Sequence, residues 1–245
     1  MMQKTPQRLG KSPLVESLFE IRFESSIPTA GDLFPGLLFP SLRENFPEVE
    51  PLPLASVPRE IRNRDEFLYQ PSHRLKGTSN SVQLGDRVVT VSSQDYGGWS
   101  QFKSTIEMII DRVRQTDLVK QVERYSFRYI NIIEAVDEDN QLSLLNLTIA
   151  VASQPPNERG FQLRLERDDD GFVTIIRIVP RSEARNESGK KVRGLLLDVD
   201  TIKEKFDDDL FSEHSHLLET AHDQVSQIFF SMLSESTLLK MEPVW

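Results

Sequence analysis

The 245-residue chain contains no cysteine. That absence excludes disulfides, thiolate-held zinc, iron–sulfur clusters and a cysteine nucleophile, and leaves no need for an oxidising compartment. Histidine is scarce at four residues, so any role for imidazole rests on few positions. No apolar run reaches the ~18 residues a spanning helix needs. The polar, cationic start, with Lys4, Arg8 and Lys11, leads into a strand pattern and not into an apolar export segment. The expected location is the cytoplasm, without membrane association. Positive charge is in deficit as well. The 29 Lys and Arg against 38 Asp and Glu give a net charge of -9, which disfavours duplex binding through phosphate neutralisation.

What is present is ordinary globular material. At 38% hydrophobic and 27% charged residues, the chain can form a core without metal or disulfide staples. Its length suits one large domain or two compact ones. Leu14 to Glu24 alternates, with Val15, Phe19, Ile21 and Phe23 against charged neighbours, as a half-buried strand does. Pro28 to Phe46 predicts a helix broken at Pro40. Pro47, Pro51, Pro53 and Pro58 predict an extended, irregular connection. Short strands are expected at 66–70, at 74–84 with an interruption near Gly77, and at 87–93. Trp99, Phe102, Ile106, Ile109, Ile110 and Val113 then share one face of a helix.

The second half opens with a long strand, 122–134. Tyr125, Phe127, Tyr129, Asn131 and Ile133 take one side, and Arg128, Ile130, Ile132 and Glu134 the other. Further strands are expected at 142–151, 161–166, 172–179 and 194–200, with a charged loop at 181–193. A final helix, about 212–233, carries Leu218, Ala221, Val225, Ile228, Phe229 and Met232 on one stripe. Strands in runs closed by long helices define an α+β class with antiparallel sheets. The repeated order predicts two similar lobes, 12–118 and 121–245, or one continuous domain.

Candidate chemistry is sparse. There is no phosphate-binding glycine loop and no nucleophile elbow. Asp198 and Asp200 stand two apart on a strand and so face the same way, the arrangement by which paired carboxylates hold Mg²⁺. No third ligand stands at a definable spacing, and solvated or capping roles at the strand's end are the preferred reading. His214, His216 and His222 lack the i,i+3 or i,i+4 spacing of helical metal ligands, and His216 with Glu219 is the workable pair. Arg128 and Asn131 lie on opposite strand faces. One of them points inward, and an inward arginine needs a carboxylate partner to offset its desolvation. Arg128, Asn131, Asp198 and Asp200 are therefore the candidate ligand- or partner-binding residues. No catalytic residue, metal or cofactor is assigned.

Pro13-Leu14-Val15-Glu16, Phe19-Glu20-Ile21-Arg22-Phe23, Phe127-Arg128-Tyr129-Ile130-Asn131-Ile132-Ile133, Leu197-Asp198-Val199-Asp200 and the helix around His222–Phe230 carry a further signal. On these segments the chain resembles a sporadically distributed, functionally uncharacterised prokaryotic family of similar length. That family usually has a basic residue after the asparagine, where Ile132 stands here. The resemblance implies no enzyme or cofactor. Its patchy distribution is similar to that of defence and toxin-linked genes. The expected function is a non-enzymatic interaction protein with another protein as partner, an accessory or neutralising component of such a system. The alternatives are a metal-dependent phosphoryl-transfer enzyme or nuclease using Asp198 and Asp200, and a nucleic-acid-binding protein.

Overall fold

The computed structural model of the chain describes residues 5–135, 139–169, 171–185, 189, 191–204 and 209–245. Lys4, Asp137, Asp170, Glu187 and Lys190 lie outside them. The strands are β1 (Arg8–Leu9), β2 (Leu14–Ser25), β3 (Glu48–Pro51), β4 (Pro71–Lys76), β5 (Asn80–Gly85), β6 (Val88–Ser93), β7 (Val119–Glu134), β8 (Leu163–Asp169), β9 (Phe172–Arg185), β10 (Lys191–Glu204) and β11 (Pro243–Val244). The helices are α1 (Ala30–Leu42), α2 (Arg59–Arg62), α3 (Trp99–Arg114), α4 (Leu210–Met232) and α5 (Glu235–Lys240). Among the described residues, nine strands form one antiparallel sheet in the order β3-β4-β5-β6-β2-β7-β10-β9-β8, and β1 pairs with β11. The α+β class is as expected from the grouping of strands.

The chain divides into two compact units, neither of them continuous in sequence. One holds the residues up to Ser17, Arg128–Ile202 and Thr220–Trp245; the other holds Leu18–Phe127 and Lys203–Glu219. The cause is strand pairing. In the first unit the Ile132 N–H donates to the Pro13 carbonyl at 2.9 Å, so residues from the start of the chain belong with the end of β7.

In the Leu18–Phe127 unit the core is aromatic. Phe127 meets Phe19, Trp99 and Phe102 at centroid distances of 6.1, 5.4 and 5.9 Å, and Phe23 meets Phe34 edge-on at 6.1 Å. The predicted stripe of α3 is buried from Phe102 to Val113. Trp99 stays half-buried, because its indole N–H donates to Glu219 Oε2 at 2.7 Å. Gly98 leads into the helix at φ 108, a conformation that side chains disfavour.

Three sequence expectations fail here. The helix expected to break at Pro40 runs unbroken from Ala30 to Leu42 through Pro35 and Pro40. A proline ring crowds the carbonyl four residues earlier, and those positions are Gly31 and Gly36, where the backbone is least restrained. Residues 66–70 form turns and no strand. The strand expected at 142–151 is absent: a short 3₁₀ turn, Gln141–Leu144, is followed by irregular chain with isolated bridges at Leu145 and Val151. Glu158 holds that turn, accepting the N–H groups of Gln141 and Leu142 at 2.8 Å each.

In the other unit β9 and β10 form a long hairpin. Its register carries Arg185 opposite Lys191, so the loop expected at 181–193 is largely strand. Glu183 pairs with Lys191 and Arg193 across the hairpin, which turns a run of like charges into cross-strand pairs. Ile176, Ile178, Leu197 and Val199 are buried in this unit, as are Ala221 and Val225 of α4.

Candidate functional site

The site is built on β8, β9 and the parts of β7 and β10 that lie within Arg128–Ile202, all in one unit. Alternation along β9 buries Thr174, Ile176 and Ile178 and leaves Val173, Ile175, Arg177 and Val179 half-buried on the opposite face. Register places Leu196 of β10 opposite Val179, Asp198 opposite Arg177 and Asp200 opposite Ile175. On β8, Arg164 lies opposite Arg177 and Glu166 opposite Ile175. One row of the sheet face therefore holds Asp198, Arg177 and Arg164.

Arg128 reaches the same carboxylate from β7. Its Nε and Nη2 donate to Asp198 Oδ1 and Oδ2 at 2.7 Å each, a bidentate pair, and Arg177 Nη1 donates to Oδ2 at 3.0 Å. The Asp198 side chain is 3% exposed, while those of Arg128 and Arg177 are 33% and 37% exposed. The two guanidiniums thus cover the carboxylate and keep part of their own surface open. The hydrogen bond to Asp198 raises the Arg128 pKa above its ordinary value, opposed by desolvation and assisted by the charges of Asp198, Asp200 and Glu16. Arg128 is permanently cationic.

Of the four candidates, three come together on this face and one does not. Asp200 lies one row along from Asp198, nearly buried, and its charge acts on Arg128. Asn131 is 3% exposed, on the opposite side of β7, and its amide donates to the carbonyls of Tyr129 at 3.3 Å and Leu197 at 3.2 Å. From there it ties β10 to β7 and touches no surface. Close approach of these strands recurs at Gly194, where a Cβ would come within 2.0 Å of the Ile133 carbonyl oxygen. Spacing and charge in the sequence do not single out Arg177. A single arginine in the apolar alternation Val173, Ile175, Val179 was the available signal, because such a residue needs a partner or a surface.

The histidine-rich helix carries one carboxylate–imidazole cluster. On α4 the residues whose ligand atoms gather are Glu219, His222 and Asp223, at i, i+3 and i+4, and not His216 with Glu219 alone. Glu219 is engaged elsewhere, with Oε1 accepting from Lys103 Nζ and Oε2 from the Trp99 indole, both at 2.7 Å. A cleft of about 660 Å³ lies away from the arginines, lined by Pro13, Leu14, Ile133, Leu144, Val192 and Met241 among others. Two of its charged lining residues are paired: Lys11 with Glu242 at 2.7 Å, and Asp139 with Arg181. Among the described residues no helix is long and apolar enough to cross a membrane.

Compared with known proteins, the chain matches no family model and no curated sequence.

Proposed function

We propose that the chain is a non-catalytic interaction protein that binds another protein through the sheet face around Arg128, Asp198 and Arg177. The observation that carries this reading is the double arginine clamp on Asp198. Both carboxylate oxygens accept from guanidiniums, so the group is not available as acid, base or nucleophile. What faces outward instead is part of two guanidiniums set among the half-buried Ile130, Ile175, Val179 and Leu196. Arginine with apolar neighbours is the composition of interface centres, where lysine and glutamate are depleted. The setting implied by the family resemblance, an accessory or neutralising role in a prokaryotic defence or toxin-linked system, is compatible with such a surface.

Metal-dependent phosphoryl transfer at Asp198 and Asp200 is less well supported. A divalent cation at Asp198 would sit beside two guanidiniums whose charge opposes it. The test is affinity purification of the tagged chain from its native host, compared with the Arg177→Ala/Val179→Ala variant. Both positions are half-buried, and Arg128 still holds Asp198, so the variant should fold as the parent does. The expected result is a stoichiometric protein partner, present with the parent and lost with the variant. A partner retained by the variant, or a Mg²⁺- or Mn²⁺-dependent nuclease activity abolished by Asp198→Asn, would overturn the reading.

A further inference from the structure

We infer that β8 pairs antiparallel, edge to edge, with β8 of a second copy of this chain, in the register that places Leu165 opposite Leu165 of the second copy. This goes beyond the surface proposed above and does not rest on it.

Among the described residues β8 ends the strand order and pairs within the sheet on its β9 side alone. Five consecutive residues, Arg164 to Asp168, are exposed, and Leu165 is 39% exposed. A bare edge of this kind invites another strand. The opposite edge, β3, is differently made: it has four residues and ends in Pro51, which cannot donate to a ladder. Charge on an edge strand usually discourages pairing, so the pattern of charge on β8 is decisive.

Two identical strands pairing about a two-fold axis perpendicular to the sheet must centre on a residue, because directly opposed side chains share a face. Centring on Arg164 opposes Arg164 to itself. Centring on Glu166 opposes Glu166 to itself. Centring on Arg167 opposes Arg167 to itself and Glu166 to Asp168. Centring on Leu165 opposes Arg164 to Glu166 twice, Leu165 to Leu165, and Leu163 to Arg167, with no like-charge pair among these residues. Like charges directly opposite destabilise a ladder and unlike charges support it, so this register is selected against its neighbours.

The sheet itself supplies a second reason. Arg164 stands opposite Arg177, a like-charge pair, and the Arg177 Nη1 already donates to Asp198. Arg164 leans on Glu166 two residues along its own exposed strand. In the Leu165-centred register the second copy's Glu166 stands directly opposite Arg164. The row then continues from Asp198 through Arg177 and Arg164 to a carboxylate, and the four charges of the two copies alternate around the axis.

The experiment is sedimentation velocity over a dilution series for the full chain and three variants. The parent is expected to form a dimer. Arg164→Glu and Glu166→Arg should each weaken it by about tenfold or more, since each replaces both unlike pairs with like ones. The double variant Arg164→Glu/Glu166→Arg should restore the dimer, because exchanging the two charges preserves the pairing. An equimolar mixture of the two single variants should form a heterodimer for the same reason. Equal melting temperatures establish that the variants fold. A parent that stays monomeric throughout overturns the inference. So does a dimer indifferent to the single changes, or a loss that neither the double variant nor the mixture repairs.

Discussion

Asp198 is nearly buried, and its partners are one-third exposed. Deleting the carboxylate leaves Arg128 and Arg177 facing each other with nothing between them. Breaking a fully buried pair costs about 3–5 kcal/mol, and the partial exposure of both arginines places this case toward the low end. Asp198→Ala is therefore expected to lower stability by roughly 3 kcal/mol, read from urea unfolding. Arg177→Ala leaves the bidentate Arg128 bond in place and should cost no more than about 1 kcal/mol, as exposed pairs do. A common origin predicts a second outcome. With both oxygens engaged by guanidiniums, Mg²⁺ or Mn²⁺ should leave the melting temperature unchanged, since only a ligand of the folded state raises it. A rise that disappears in Asp198→Asn would return these aspartates to metal chemistry. At this scale the sequence was half legible. The alternation of β7 shows that Arg128 and Asn131 take opposite faces, and that an inward arginine requires a carboxylate. Which carboxylate could not be known, because Asp198 lies 70 positions further on and strand order alone makes it a neighbour.

Elements were legible where one period governed them. The stripe of α3 and the alternation of β2 needed only spacing, because each buries a single face; the alternation of β7 was legible too, although Ser126 and Ile132 are buried from its other side. Hydropathy failed where a distant residue decides the local structure. α1 has no cap from its own Thr29; the N–H of Gly31 donates instead to Asp86 Oδ1 at 2.9 Å, from the turn between β5 and β6. The approach is close: a Cβ on Gly31 would lie 2.8–2.9 Å from that turn. Burial raises the Asp86 pKa, although the Gly31 hydrogen bond and the Arg62 charge oppose the shift. A carboxyl whose folded pKa is raised binds its proton more tightly folded than unfolded. Its ionised form therefore lowers stability at neutral pH, and this loss disappears as the pH falls through the raised pKa. Asn keeps an oxygen to cap the helix and carries no charge. Asp86→Asn is thus expected to match or exceed the parent in stability near pH 7, with the advantage fading as the pH falls toward the ordinary carboxylate range. Asp86→Ala removes the cap and should cost about 1 kcal/mol. Thermal melts of the three proteins across that range check both. On α3, Phe102 is 3% exposed against Phe127, and Phe102→Ala is expected to cost roughly 3–5 kcal/mol, as large-to-small core changes do.

For the whole molecule, the division into units was not legible, since neither unit is continuous in sequence. Periodicity finds β2 and β7 but not that pairing joins the first residues of the chain to the end of β7. Charge was legible in total and not in placement. The net charge of -9 leaves nucleic-acid binding dependent on concentrating cations, and the basic stretch at 181–193 was the obvious place for it. Folding distributes those cations: Arg181 pairs with Asp139, Lys191 and Arg193 pair with Glu183, and Arg185 Nη1 donates to the Gly189 carbonyl at 3.1 Å. The Glu183 carboxyl is held below its usual range, first by its hydrogen bond to Lys191 and further by the charge of Arg193, so it stays ionised to offset them. A phosphate backbone would have to compete with this carboxylate for Lys191 and Arg193. Binding of that kind weakens steeply with salt, because every contact releases a counterion. An interface of arginines among apolar side chains responds to salt far less. Replacing Arg185, Lys191 and Arg193 with alanine should leave partner capture nearly unchanged, and the parent should give no mobility shift with single- or double-stranded DNA or RNA even at low ionic strength. Tight binding to any of these nucleic acids that falls linearly with log salt and vanishes in the triple variant would move the functional surface from the Arg128–Arg177 face to the β9–β10 hairpin.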